Sequence, residues 1–309
     1  ETLQSKGIEA ARLDSTLKPS EIKRIYDAME DGSLKLLYVA PERLANEGFL
    51  RLLRRTPIEM MAVDEAHCIS EWGHNFRPDY LKLAALAKDL KIPRILALTA
   101  TATPRVAEQI RERFSIAEAD HIQTGFSRPN LTFEVHPCSE SERNEKLIER
   151  IKEHPPGPSV VYVTLQQTAE RVAGTLKQAG LDARAYHAGM RDNHRAEVQE
   201  KFMDNEIDIV VATIAFGMGV DKADIRHVYH YNLPKSLENY VQESGRAGRD
   251  GETATCEIFA CSDDLTVLEN FIYGDTPSPT AIKSLVEHVL LQGEDFSVSR
   301  YELSQSRDI

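Results

Sequence analysis

The sequence predicts an α/β protein built from two parallel-sheet domains, followed by a short helical C-terminal segment. Short β-branched runs at residues 36–39, 60–63, 94–98, 160–163, 207–212, 227–231 and 256–260 alternate with stretches of helical period. Strands that take turns with helices assemble through βαβ crossovers, which makes their pairing parallel. At 309 residues the chain is long enough for two domains of ordinary size, each with its own core. A Gly, a Ser and a Pro interrupt the alternation at residues 125–129 (GFSRP), and the strand signal stops after Asp263.

In chain order the helical stretches fall at 42–55, 79–90, 104–114, 141–153, 168–179 and 195–203. Pro104 opens one of them in the first turn, where its missing N–H costs nothing. The break at 125–129 is the expected hinge, giving domains at 1–125 and 126–262. A second Pro and Gly cluster at 154–158 (HPPGP) reads as a tight turn before a strand. Residues 263–309 form the helical segment, with helical pattern at 264–271 and 279–291. No internal repeat and no low-complexity tract occurs.

Acidic side chains outnumber basic ones 49 to 37, for a net charge of −12. That balance opposes non-specific attraction to a polyphosphate, so any nucleic-acid contact must be local. The 41% hydrophobic and 28% charged contents are ordinary globular values. No apolar run reaches the length of about 18 residues that a membrane helix needs, and no charged-then-apolar leader is seen. A soluble, untargeted chain with no membrane partner is expected. Cys68, Cys138, Cys256 and Cys261 form no CxxC pair. They indicate neither a zinc site nor a disulfide framework, and a reducing, intracellular compartment is expected. Position 1 is Glu1, in a helix-like stretch without Met, and the chain reads as a fragment whose start lies upstream.

The apolar run at 60–63 is followed by Asp64-Glu65-Ala66-His67, which puts two adjacent carboxylates at the carboxyl end of a buried strand. Ligands bind at that end in open α/β sheets. Nucleotide hydrolysis needs one carboxylate to hold Mg²⁺ and another to orient or deprotonate the attacking water. Asp64 suits the first role and Glu65 the second, with Asp64 as the metal ligand. A solvated acidic turn is the plain alternative. His67 is either a satisfied histidine at a strand end or a link between the nucleotide and a moving loop.

Residues 68–80 read CISEWGHNFRPDY and gather Trp72, His74, Phe76, Arg77 and Tyr80 around Gly73 and Pro78 without a regular period. Exposed aromatics and guanidinium planes grip single strands by stacking on bases. The same rings could instead be core residues under a long loop. DEAHCISEWGHNFRPDY resembles motif II and the aromatic-rich loop of the RecQ helicases, a group within helicase superfamily two. In that family the loop senses single-stranded DNA and couples it to hydrolysis, and the resemblance assigns Trp72, Phe76 and Arg77 to it.

Residues 98–103 (LTATAT) resemble motif III, where Thr99 and Thr101 join the nucleotide and DNA sites; a Thr cap before the Pro104 helix is compatible with this. Residues 159–170 resemble motif IV. Residues 185–191 (AYHAGMR) resemble motif IVa, which implies nucleic-acid contact by Tyr186 and His187, although both could be plain turn residues. In residues 209–221 (IVVATIAFGMGVD) a buried strand meets a Gly-rich loop, and Gly217 and Gly219 permit close backbone approach to a phosphate. This stretch resembles motif V, with Thr213 on the nucleic-acid phosphate and Gly219 and Asp221 at the nucleotide.

Residues 240–251 (YVQESGRAGRDG) hold Arg246 and Arg249, three apart, which the spacing places on one face of a helix end. Planar, always-charged guanidinium groups suit the oxygens of a transferring phosphoryl group. An arginine finger is worth roughly 10³ to 10⁵ in rate. A surface ion-pair cluster with Glu243 and Asp250 is the alternative. QESGRAGR resembles motif VI, which makes Arg249 the finger, Arg246 a second phosphate contact and Gln242 their catalytic neighbour.

The resemblance implies two RecA-like domains, the first truncated at its N-terminus. It further implies ATP and Mg²⁺ as cofactors and single-stranded and partly duplex DNA as partner. Translocation runs 3′ to 5′ in that family, with repair and recombination as its setting, in the cytoplasm or nucleoid of a bacterium or the nucleus of a eukaryote. The two half-sites fall in different domains, so a nucleotide site would be completed by closure. No GxxxxGK[ST] occurs in the chain, and that phosphate-cradling loop is expected upstream of Glu1. Residues 263–309 hold no cysteine, so no zinc is predicted there. That segment reads as a zinc-less platform leading toward a winged helix, or as a packing appendage. An RNA helicase of the same superfamily and a non-catalytic nucleic-acid-binding or annealing scaffold remain open.

Overall fold

Every strand pair among the described residues of the computed structural model is parallel, as the alternation of strand and helix requires. The structure describes residues 2–14, 17–70, 77–125, 127–217, 220–273, 282–283 and 286–287. It divides into two units, Glu1–Phe126 and Ser127–Ile309.

Unit 1 runs α1 (Thr2–Ser5), β1 (Ala10–Leu13), α2 (Pro19–Glu30), β2 (Leu36–Val39), α3 (Glu47–Leu53), β3 (Met61–Val63), α4 (Pro78–Asp89), β4 (Ile95–Ala97) and α5 (Pro104–Phe114). β1 pairs with β2, and β3 with β4. The helix expected over 42–55 comes in two pieces, a 3₁₀ turn at Pro41–Ala45 and then α3. Asn46 divides them, because its side chain accepts from Phe49 N at 2.9 Å and so starts a new helix. Pro104 does open α5, with Thr103 Oγ1 accepting from Val106 N at 3.4 Å. The strand faces of this unit stand partly open: Tyr38 is 59% exposed, Leu96 43% and Leu98 46%.

Unit 2 runs β5 (Leu131–Pro137), α6 (Glu140–Glu153), β6 (Ser159–Tyr162), α7 (Gln166–Gln178), β7 (Ala183–Tyr186), α8 (Asp192–Met203), β8 (Ile209–Ala212), β9 (His227–His230), α9 (Leu237–Ser244), β10 (Ala254–Ala260) and α10 (Asp263–Tyr273). Its six-stranded sheet has the order β5-β10-β9-β6-β8-β7. β6, β8 and β9 are buried at every position; β8 (IVVA) is apolar throughout, while Ser159 of β6 and His227 and His230 of β9 are buried polar groups. The chain leaves β6 for the edge strand β7, returns to β8, then crosses to β9 on the other side of β6. The loops that follow β6, β8 and β9 therefore gather at one end of the sheet, around a topological switch point.

A buried polar knot fixes α10 to this sheet. Asp264 Oδ1 accepts from Arg143 Nη1 at 2.9 Å and from Asn232 Nδ2 at 2.7 Å, while Oδ2 accepts from Leu233 N at 2.8 Å. Arg143 is fully buried and stacks over the Tyr231 ring. Asn232 Oδ1 in turn accepts from Thr164 N at 3.2 Å, so α10 also braces the loop after β6.

Candidate functional site

In unit 1 the site grows from the turn after β3. Asp64 is exposed, and its Oδ1 accepts from Glu65 N at 2.9 Å. Glu65 adopts the left-handed conformation, φ 50° and ψ 42°, which costs a non-glycine residue on the order of 1 kcal/mol or more. Strain of this kind persists where the surroundings over-determine it. Here Leu98 N donates to Val63 O at 2.8 Å and Ala66 N to Leu98 O at 2.9 Å, which pins both sides of the turn.

His67 is buried beneath this turn and links the ends of β3 and β4. Its Nδ1 lies 3.2 Å from Glu65 Oε2 and 2.9 Å from Thr99 Oγ1. Thr99 Oγ1 also accepts from Thr101 N at 3.2 Å. Burial alone would lower the His67 pKa, but the contacts with the Cys68 thiol and the Glu65 carboxylate outweigh it and push it up to about 9. The structure thus brings Asp64, Glu65, His67, Thr99 and Thr101 together. Arg77 is exposed where α4 begins, and Trp72 and Phe76 lie outside the described residues.

In unit 2 the loops after β8 and α9 meet. The spacing had placed Arg246 and Arg249 on one helix face, and the structure corrects this. α9 ends at Ser244, Gly245 caps it, and both arginines lie on the turns beyond. Their fates differ. Arg246 is buried, and its Nη1 donates to Gly217 O at 2.7 Å while its Nε has no hydrogen-bond partner among the described residues. Arg249 is exposed and donates from Nη1 to Asp221 Oδ1 at 3.0 Å. A Cβ at Gly217 would run into the Arg246 guanidinium, with Cζ 2.8 Å away, so that glycine makes room for the arginine. The surface cluster with Glu243 and Asp250 does not form: Glu243 pairs with His230 at 2.9 Å and Asp250 with Arg226 at 2.7 Å.

Thr213 is buried at the end of β8, with its N–H on Tyr186 O at 3.3 Å. Tyr186 is buried too, packed edge-on against Phe216 and donating to Gln199 Oε1 at 3.4 Å. The His187 ring is tied through Nε2 to Glu170 Oε1 at 3.0 Å, and its buried Nδ1 lacks a partner among the described residues. Gln242 is half-buried on α9, and Gly219 lies outside the described residues.

Sequence reasoning missed three features. Arg128, read as part of the hinge at 125–129, and Asn130 just after it reach the loop that carries the arginines. The cleft at the ends of β6 and β9 draws Thr164 and Ile214 from the stretches resembling motifs IV and V together with His230, Asn232 and Lys235, which no motif singled out. Glu134, His136 and Glu257 bring potential metal ligands within 4.8 Å of one another. Arg150 already bridges those two carboxylates, 2.8 Å from each, and so occupies the place of a cation.

The comparisons with known proteins match these two halves in order. The DEAD/DEAH box helicase family matches residues 1–110, and the helicase conserved C-terminal domain matches residues 142–251. The chain is 41% identical over 269 residues to the ATP-dependent DNA helicase RecQ of Bacillus subtilis, covering 86% of this chain and 45% of that protein. It is 39% identical over 313 residues to a putative ATP-dependent DNA helicase Q1 of Caenorhabditis briggsae, covering 98% and 50%. The chain thus spans about half the length of these curated relatives. Among solved structures, S. cerevisiae Dbp5 bound to RNA and ADP BeF3 superposes with a TM-score of 0.58 at 18% identity, over 83% of this chain and 68% of that one. Mycobacterium smegmatis helicase Lhr gives 0.60 at 20% identity, over 93% and 41%. These distant likenesses establish the fold, two RecA-like domains. Among the described residues no helix is long and apolar enough to cross a membrane. With the strand-end carboxylates and the paired arginines lying within the two matched regions, the chain carries the DEAD/DEAH box helicase and helicase conserved C-terminal domains and is similar over most of its length to RecQ helicases.

Proposed function

We propose that the chain is the motor portion of an ATP-dependent 3′–5′ DNA helicase. It couples Mg-ATP hydrolysis to movement on single-stranded DNA and to opening of partly duplex DNA, in repair and recombination. Residues 1–125 and 126–262 act as the two motor domains, and 263–309 as a helical, zinc-less segment leading toward a platform or winged-helix region. The observation that carries this reading is the arginine pair beyond α9: one guanidinium buried with a spare Nε, the other exposed and held by a single carboxylate. An unpartnered buried N–H and an accessible guanidinium are what a phosphoryl oxygen requires.

Mg-ATP, when bound, supplies the phosphoanhydride whose cleavage drives the cycle. Asp64 would hold Mg²⁺, its exposed carboxylate retaining lone pairs beyond the one that accepts from Glu65 N. Glu65, set by its left-handed backbone, orients the attacking water and accepts its proton. His67 carries the change to Thr99 and Thr101 through the contacts already formed. Arg249 meets the developing charge, Arg246 and Gln242 assist it, and Gly219 and Asp221 receive the sugar side of the nucleotide.

On the nucleic acid, Trp72, Phe76 and Arg77 stack on bases and Thr213 meets a phosphate. Tyr186 and His187 shape the loop after β7, Tyr186 from beneath through Phe216. DNA is favoured over RNA by the aromatic run at 68–80 and by relatives whose names specify DNA helicases. The test uses the full-length protein. Arg249→Ala should keep ATP binding and lose DNA-stimulated hydrolysis, and deoxyoligomers should stimulate the wild type more than ribo-oligomers do. Normal turnover in the variant, or equal stimulation by both polymers, would refute the corresponding part.

A further inference from the structure

The residues that open unit 2 grip the arginine loop. Arg128 donates from Nη1 to Gly245 O at 3.3 Å, and from Nη2 to Ala247 O at 3.1 Å and Gly248 O at 2.8 Å. Asn130 Nδ2 donates to Gly248 O at 2.8 Å and Glu252 O at 2.9 Å. The main chain continues the contact, with Ala254 N on Asn130 O at 3.0 Å at the start of the β5–β10 pairing.

The chemistry favours this contact. The carbonyls that Arg128 meets belong to Gly245, the cap of α9, and to Ala247 and Gly248 in the turns beyond it, at the negative end of the helix dipole. A guanidinium offers several N–H groups in a planar fork, so one side chain serves three carbonyls at once. Gly248 is pressed into the arrangement. It sits at φ +54°, and a Cβ there would lie 2.6 Å from Asn130 Nδ2 and 2.7 Å from Glu252 O. The clamped carbonyls bracket Arg246 and immediately precede Arg249, so the direction in which both side chains leave the backbone depends on the clamp.

We infer that Arg128, assisted by Asn130, is a positioning residue for the arginine pair, tying the presentation of Arg246 and Arg249 to the segment through which the chain enters unit 2. The inference rests on the reading of that pair as phosphate contacts. Arg128 touches no reacting atom and acts through the loop backbone alone. Misplacing a catalytic group by about 1 Å costs on the order of 10²-fold in rate.

The experiment compares Arg128→Ala, Arg128→Lys, Asn130→Ala, Arg249→Ala and the double variant Arg128→Ala/Arg249→Ala in the full-length protein. Readouts are DNA-stimulated kcat, KM for ATP, and backbone amide exchange over residues 245–252. Arg128→Ala should lower kcat between about 10- and 100-fold with KM changed little, and raise exchange across the loop. Arg128→Lys should recover only part of this, because an ammonium cannot fork to three carbonyls. In the Arg249→Ala background the Arg128 change should cost clearly less than it does in the wild type, because only Arg246 is left to misplace. Normal kcat in Arg128→Ala beside a crippled Arg249→Ala would overturn the inference while leaving the arginine reading intact. Normal kcat in Arg249→Ala would instead sink the arginine reading itself. Losses that multiply in the double variant would show that Arg128 acts elsewhere. If Arg128→Ala does not fold, Asn130→Ala decides: unchanged exchange at 245–252 rejects the clamp.

Discussion

Arg249 Nη1 rests 3.0 Å from Asp221 Oδ1 across an open part of the surface. A solvent-exposed pair of this kind is worth about 0 to 1 kcal/mol. Its use is to hold the arginine in readiness, and the fold does not depend on it. Asp221→Asn should leave the melting temperature of the protein nearly unchanged while altering the KM for ATP. A large drop in thermal stability would show that the pair carries structure instead.

His67 supplies a pH dependence with a definite sign. Its pKa in the fold is pushed up to about 9, above the unfolded value of about 6.5. The charged imidazole is therefore stabilised by folding. That contribution is complete below pH about 6.5 and is lost as pH rises through about 9. His67→Gln removes it, so the stability gap between wild type and variant in urea unfolding should be widest at low pH and narrow toward alkaline pH. A gap independent of pH would rule out the charged histidine.

The knot around Asp264 is sensitive because both charges are out of water. Asp264→Ala leaves the fully buried Arg143 guanidinium with the half-exposed Glu140, 3.0 Å from its Nη2, in place of its buried carboxylate, at a cost of up to about 3–5 kcal/mol. Arg143→Met in the same chain removes the stranded charge and should recover part of the loss. A double variant no more stable than Asp264→Ala in chemical denaturation would contradict this account.

Gly217→Ala addresses the arginine pair from the opposite side. The added methyl meets the Arg246 guanidinium, the far end of a long side chain, so the arginine moves before the fold does. Turnover should fall by about tenfold or more with little change in melting temperature, as expected when a transition-state contact is displaced. Unaltered hydrolysis would show that Arg246 need not sit where it does.

The parallel β6 and β8 were legible because burial at every position leaves them rich in Val and Ile. β5 was not, because one of its faces is polar by construction. Glu134 and His136 alternate along it and meet Arg150 and Glu257, so a strand at the sheet edge carries charges where a core would carry valines. β1 and β7 are only four residues each and short of β-branched side chains. In the site, the turn after β3 was readable from local spacing, whereas the arginines, which their spacing puts on a helix face, lie on turns beyond α9. The separate fates of Arg246 and Arg249 were not readable, because they are decided by Gly217 and Asp221, which lie 29 and 28 residues earlier in the chain. Arg128 was hidden for the same reason: a Pro beside it marks a break in pattern, while its partners lie 117 to 120 residues away.

The open strand faces of unit 1 bear on how this chain behaves in a tube. Water meets Tyr38, Leu96 and Leu98, and parallel two-stranded ribbons offer unpaired edges beside them. Apolar edges of this kind recruit one another between molecules. Concentrated preparations of residues 1–309 should therefore scatter light well below the unfolding temperature, and threonine in place of Tyr38 and Leu98 should keep them clear.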